Sequence, residues 1–210
     1  MENNTEFEQK YFDSIYGEDS LIDGTYNSKE HARYLHSVLD LMEIEVNSII
    51  DFAHGSGELL KDIVQIFKPE KCSAIDISTH VHNKLNGKKW TKDILLLNQS
   101  MLDFKVPKTP YDLGISNSIH QYLEDKDVEK ALKIISKSCR YCYLHIPTES
   151  DYVKMFDQTG FKDPYSNKRS NEFYQKLVKK YFTFVSWGLV ESKEFVNSSG
   201  SPFFDSLFRF

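Results

Sequence analysis

The segment Ile49 to Leu60, IIDFAHGSGELL, constrains the fold more than any other. An apolar run ends in an acid, passes through two glycines and enters a helical pattern. Ser48 to Phe52 reads as a buried strand, and His54-Gly55-Ser56-Gly57 as a tight loop. Leu60, Ile63, Val64 and Phe67 follow at i, i+3, i+4 and i+7, one face of a helix. Glycines at 55 and 57 permit positive φ and let the backbone approach a ligand closely. The unpaired amides of the first helical turn then face whatever lies over the loop. A bare GxG also describes an ordinary turn, so the loop by itself leaves both readings open.

A second element narrows the choice. Cys72 to Ile77 reads as a short buried strand with Asp76 near its end. Asp76 lies 19 residues beyond Gly57, where a doubly wound βαβ unit sets a carboxylate to accept hydrogen bonds from ribose hydroxyls. The same residue also suits opening a loop or capping a helix near Ser78 and Thr79. A dinucleotide and S-adenosylmethionine both suit such a unit. The dinucleotide fingerprint wants a small residue three positions after the second glycine, and this chain has Leu60 there.

These residues resemble motifs I and II of the class I S-adenosylmethionine-dependent methyltransferases. Asp51, Gly55 and Gly57 match, Ala53 stands where the family usually has its first glycine, and His54 fills a variable slot. The resemblance implies cofactor contacts from Asp51, Ala53, His54, Gly55 and Gly57, and from Asp76 and Ile77 on the second strand. Leu97 to Phe104 is similar to the segment that flanks the adenine, which brings in Ser100 and Met101. Tyr111 to Asp125, YDLGISNSIHQYLED, is similar to the fourth strand and its following loop, with Ser116 and Asn117 toward the cofactor.

Further on, Val128, Ala131, Leu132 and Ile135 mark a helix face, Tyr141 to Ile146 a fifth strand and Asn171 to Phe182 a late helix. Phe184 to Phe195 and Pro202 to Phe210 read as two closing strands. The implied fold class is α/β, a Rossmann-like seven-stranded mostly parallel sheet with a C-terminal antiparallel strand pair and helices on both faces. This domain is expected over residues 45–210. Residues 1–44, with a helix from Ser28 to Met42, are expected to form an N-terminal helical lid or cap.

At 210 residues and 40% apolar content the chain suffices for one such domain. Its polar start, MENNTEFEQK, lacks a signal-peptide core, and no apolar run approaches about 18 residues. The expected compartment is the cytoplasm, with no membrane partner. A net charge of −5 argues against a nucleic-acid substrate. Lys84 to Lys92 and Lys168 to Lys180 read as solvated faces. The loop Ser116-Asn117-Ser118-Ile119 lacks the Pro-Pro-aromatic signature of base methyltransferases. A small-molecule substrate remains, with the oligomeric state open.

Cys72, Cys139 and Cys142 make no disulfide framework, and the CxxC at 139–142 opens a strand and has no second pair to complete a zinc site. No metal is expected.

A sulfonium methyl is already activated, so the protein needs mainly to align a nucleophile and, for a hydroxyl, remove a proton. The resemblance puts His120 at the methyl group as the base, with the near-neutral pKa of histidine suited to the task. Gln121, Tyr122 and His145 are candidate substrate contacts, joined by Tyr26 and His31 from the lid. The expected reaction is methyl transfer to a hydroxyl or amine of a small biosynthetic intermediate, with a sugar derivative favoured. Two alternatives stand beside it: a NAD-dependent oxidoreductase, and an inactive methyltransferase-like binding subunit, toward which Ala53 and Ser100 point.

Overall fold

The computed structural model describes residues 26–196. They fall into two units. The first takes in residues to Phe104 together with Tyr111–Leu113, and the second Lys105–Pro110 and the residues from Gly114 onward.

In the first unit, helix α1 (Ser28–Leu41) precedes strand β1 (Ser48–Asp51), helix α2 (Glu58–Phe67), strand β2 (Lys71–Asp76), helix α3 (Thr79–Leu85) and strand β3 (Ile94–Asn98). β1 and β2 run parallel with Asp51 opposite Ala74, and β2 and β3 run parallel with Asp76 opposite Asn98. Ile49, Ile50, Ala74 and Ile75 are fully buried, as a strand covered on both faces requires. From α2, Leu59, Leu60 and Ile63 join this core. Val64 and Phe67, expected on the same face, are only half-buried, and α1 lies beside them, with the His36 ring 5.2 Å from that of Phe67. The Ser28 hydroxyl donates to Asp62 at 2.5 Å and ties the start of α1 to α2. Residues 28–41 thus pack within the first unit. Residues 1–25, the aromatic-rich part of the expected lid, lie outside the described residues.

Strand β4 (Tyr111–Asn117) begins in the first unit. There the Asp112 carboxylate accepts from the backbone N–H groups of Asn47 and Ser48, at 3.1 and 2.9 Å, and from the Ser48 hydroxyl at 2.8 Å.

The second unit holds the rest of β4, helix α4 (Asp125–Ser138), strand β5 (Cys139–His145), helices α5 (Glu149–Thr159) and α6 (Asn171–Tyr181), and strands β6 (Phe182–Ser186) and β7 (Leu189–Ser192). The expected face of α4, Val128, Ala131, Leu132 and Ile135, is fully buried. β7 runs antiparallel to both β5 and β6. The seven strands of the described residues form one sheet in the order β3-β2-β1-β4-β5-β7-β6, the Rossmann-like arrangement with a closing antiparallel pair.

The closing pair is placed differently from the sequence reading. Both strands lie within 182–192, because the chain reverses at Trp187-Gly188, where Gly188 has φ +63°. A Cβ on Gly188 would stand 2.7 Å from the Tyr143 ring, so the turn excludes other residues on two counts. Pro202 to Phe210 lies outside the described residues. Among those described, no helix is long and apolar enough to cross a membrane.

Candidate active site

The glycine loop between β1 and α2 is held by carboxylates from two strand ends. Asp51, at the end of β1, accepts from the Ala53 N–H at 3.0 Å. Asp76, at the end of β2, accepts from the Gly55 N–H at 2.9 Å through one oxygen and from the Ser78 N–H at 2.8 Å through the other. Thus Asp76 orders the loop and also serves the chain turn that begins α3, so the capping alternative is realised together with the loop contact. Each carboxylate oxygen has a second lone pair, so both can still accept from a ribose hydroxyl.

Burial sets the charge in this loop. It drives Asp51 up to about 7, with the Ala53 amide acting against it and the charge of Asp76 adding to it. Burial likewise lowers His54, whose Nδ1 lies 3.0 Å from the Gly55 carbonyl and whose Nε2 has no partner among the described residues. The Cys72 thiol on β2 is pushed up to about 12 by burial and by Asp51, an inert thiol.

Two glycines carry different loads. Gly57, φ +82°, begins α2, and a Cβ there would stand 2.7 Å from Leu85 on α3. Gly55, φ +51°, would project a Cβ into open space. Ala53 is not among the residues with positive φ, so its backbone conformation does not require glycine.

Past β2, Ile77 is 69% exposed. The Asn98 side chain donates to the Asp76 and Ile77 carbonyls at 3.0 and 3.1 Å, a fastening the sequence reading missed. Ser100 caps a short 3-10 turn by accepting from the Leu102 N–H at 3.2 Å, and Met101 beside it is buried. Loop, Asp76, Ile77 and the Ser100-Met101 turn follow the ends of three adjacent parallel strands, where open α/β sheets bind ligands. Tyr26 lies just before α1 and is exposed, and His31 lies in its first turn and is buried.

In the second unit, Ser116, Asn117, His120, Gln121 and Tyr122 come together at the end of β4. The His120 ring is completely buried, and burial, reinforced by the Arg169 charge, lowers its pKa to about 3. Such a group stays neutral and accepts a proton poorly at neutral pH. Nε2 lies 3.0 Å from the Ser116 hydroxyl, and Nδ1 has no partner among the described residues.

Gln121 and Tyr122 are engaged by the chain itself. The Gln121 amide donates to the Ser118 carbonyl at 2.9 Å, and the Tyr122 hydroxyl donates to Asp163 at 2.7 Å. The Asn117 side-chain oxygen is buried and has no partner among the described residues. Ser118, φ +53°, donates its N–H to the His145 carbonyl at 2.8 Å, and the His145 ring lies beside Tyr143 and Trp187.

Arg169, read from sequence as part of a solvated basic face, is the clamp of this turn. It donates to the Leu123 carbonyl at 2.6 Å, to the His120 carbonyl at 3.3 Å, to the Tyr174 hydroxyl at 3.2 Å and to Asp125 at 2.8 Å. Its side chain is only 9% exposed. Nothing in the local sequence distinguishes it from Lys168; a planar fork able to reach two carbonyls at once is the property that matters.

The loop suits S-adenosylmethionine. The space over Gly55 is open, Asp76 retains acceptor capacity, and Ile77 offers an apolar face.

Comparison with known proteins agrees with this geometry. Residues 49–141 match the family model described as methyltransferase domain. The chain is 23% identical over 135 residues to 2-methyl-6-phytyl-1,4-hydroquinone methyltransferase 2 of Oryza sativa subsp. japonica, covering 55% of this chain and 39% of that protein. It thus spans about two fifths of the length of the curated relatives it matches. Among solved structures, it is similar to an S-adenosylmethionine-dependent methyltransferase from Clostridium acetobutylicum ATCC 824, with TM-score 0.62, 14% identity and coverage of 84% of this chain and 87% of that one. It is also similar to the N-methyltransferase NodS from Bradyrhizobium japonicum WM9 in complex with S-adenosyl-L-homocysteine, with TM-score 0.59, 14% identity and coverage of 85% and 88%. Residues 49–141 thus match a methyltransferase domain, and the fold is that of S-adenosylmethionine-dependent methyltransferases of known structure.

Proposed function

We propose that this chain moves the methyl group of S-adenosylmethionine to a hydroxyl or amine of a small biosynthetic intermediate. The observation that carries the reading is the loop braced by Asp51 and Asp76, with Gly55 opening onto free space. When bound, the cofactor supplies an activated methyl group. The residues that would hold it are Asp76, as acceptor for the ribose hydroxyls, Ile77, Ser100 and Met101 for the adenine, and Asp51, Ala53, His54, Gly55 and Gly57 as the floor.

His120 acts as a positioning group, not as the base expected from sequence. Neutral and packed against Ser116, it fixes the turn whose Gln121 and Tyr122 lead to the acceptor side. Tyr26, His31 and His145 are assigned to the acceptor's surroundings. A cytoplasmic setting belongs to the same reading.

Isothermal titration tests this directly. S-adenosylhomocysteine is expected to bind and NADH to give no heat, with Asp76→Ala abolishing the first signal. Binding of NADH without S-adenosylhomocysteine would instead favour the oxidoreductase alternative. Binding of S-adenosylhomocysteine without turnover on any hydroxyl or amine panel would favour the inactive subunit.

A further inference from the structure

Helix α5 presents Glu149, Tyr152, Val153 and Phe156 at i, i+3, i+4 and i+7, one continuous stripe facing the segment 161–168. An apolar stripe of this kind ordinarily packs into a core. Here only Tyr152 is buried, while Val153 is 56% and Phe156 47% exposed, and between stripe and segment lies a groove of about 570 Å³. That volume is ordinary for a small-molecule site.

The charges around the groove are specific. Lys162 Nζ stands 5.0 Å from the centroid of the Phe156 ring, and Lys168 Nζ 5.5 Å from that of Tyr152. Neither ammonium makes an ion pair with a carboxylate among the described residues. Asp163, the buried acid of the lining, has both oxygens engaged, one by the Tyr122 hydroxyl at 2.7 Å and the other by the Tyr165 N–H at 2.9 Å. Glu149 is exposed at the beginning of the helix. Aromatic walls with two lysines held over their faces complement a flat anion, whose ring covers the apolar surface and whose charge meets the ammonium groups.

The groove wall is also fastened to the turn after β4. The Tyr122–Asp163 bond, the Asn167 N–H to the Gln121 carbonyl at 2.7 Å and the Arg169 fork all join the 161–169 segment to residues 120–123.

We propose that this groove is the acceptor-binding site and that it takes a flat, largely apolar molecule bearing an anionic group, an aryl carboxylate in chemical class. The proposal rests on the methyltransferase reading and replaces the sugar derivative that composition suggested, because the walls of the groove, Tyr152, Val153, Phe156, Phe161 and Pro164, are largely aromatic and apolar.

The test is calorimetric, on the full chain, with 1-hydroxy-2-naphthoate and its uncharged counterpart 1-naphthol as probes. The carboxylate is expected to bind about tenfold more tightly, the worth of a hydrogen bond to a charged group. The exposed double substitution K162Q/K168Q should erase that preference and leave 1-naphthol affinity unchanged. Val153→Trp, which fills the groove from an exposed position, should weaken both probes. Equal affinities in the wild type, a preference that survives K162Q/K168Q, or indifference to Val153→Trp would each overturn the proposal. S-adenosylhomocysteine is titrated into the same preparations. If it binds all variants while the naphthoate shows no preference, only the groove assignment fails. If it does not bind the wild type, the transferase reading fails and the acceptor role with it.

Discussion

Two buried ionisable side chains push the pH dependence of stability in opposite directions. Asp51 has a native pKa raised from 3.8 to about 7, so between these values the folded chain keeps a proton that the unfolded chain releases. Stability from this group is therefore highest below about pH 4 and is lost as pH rises toward 7. His120 is the reverse: with its native pKa lowered from 6.5 to about 3, the unfolded chain binds a proton that the folded chain refuses. Its contribution is complete above pH 6.5 and is lost as pH falls toward 3. The lowered pKa of His54 acts in the same sense as His120. Asp51→Asn keeps an oxygen for the Ala53 N–H and removes one slope, so the variant should lose stability more steeply than wild type between pH 6.5 and 4, by up to about 1.4 kcal/mol per pH unit. Urea midpoints across that range measure it, and a slope equal to wild type would discount the burial of Asp51. For His120→Gln the complementary result is expected, together with a pH–rate profile that keeps every inflection of the wild type. The glycines separate in the same manner. Gly57→Ala meets Leu85 and should cost about 2 kcal/mol or more, whereas Gly55→Ala meets nothing and should cost about 1 kcal/mol from its backbone alone. Its methyl group would instead weaken S-adenosylhomocysteine binding, read by titration.

At the scale of elements, what could be read from sequence follows how local the determining forces are. β1, α2, β2 and α4 were legible because their apolar runs or stripes coincide with their buried faces: Ile49 and Ile50 on β1, Leu60 and Ile63 on α2, Val128 to Ile135 on α4. The β6–β7 hairpin was read as one strand because the Trp187-Gly188 reversal interrupts an unbroken β-favouring stretch, and the positive φ and the approach of Tyr143 that explain that glycine are not visible in sequence. Helix α5 was missed because its stripe is largely exposed. Its punctuation was nevertheless present, with Asp151 accepting from the Thr148 N–H at 2.9 Å and Gly160 closing the helix at φ +71°. In the site, the glycine loop and Asp76 are local and were legible. Arg169 was not, because its partners at 120, 123 and 125 lie more than 40 residues away. Replacing it tests the clamp. Arg169→Lys keeps the charge but cannot span the Leu123 and His120 carbonyls, so it should lose most of the stability that Arg169→Ala loses, about 2 kcal/mol in each case. Hydrogen exchange should rise at the Tyr122 and Leu123 amides, which donate to Ile119 and His120, while the core amides of β1 and β2 keep their protection. Unchanged exchange at 122–123 would assign Arg169 to the surface after all.

For the molecule as a whole, cofactor binding and folding are a single equilibrium. The loop that is proposed to hold S-adenosylmethionine is assembled from residues 51–57 and 76–78, which meet only when β1 and β2 are paired in parallel register. The unfolded chain has no such arrangement, so ligand binds the native state alone and must stabilise it by mass action. At a free S-adenosylhomocysteine concentration of 100 times Kd, the gain is about 2.7 kcal/mol. For a chain of this length each kcal/mol raises Tm by roughly 2–4 °C, which predicts a shift of roughly 5–10 °C in a thermal scan. Asp76→Ala should remove most of this shift and also lower the ligand-free Tm, because the Gly55 and Ser78 amides lose their shared acceptor. Asp76→Asn separates the two effects. Its oxygen still serves one amide, its NH2 opposes the other, and a neutral side chain binds ribose hydroxyls more weakly than a carboxylate. Its ligand-free Tm should therefore fall between wild type and Asp76→Ala, while its ligand-induced shift should be as small as that of the alanine variant. A full shift in both variants would mean that the ligand is held elsewhere, and that Asp76 serves the loop alone.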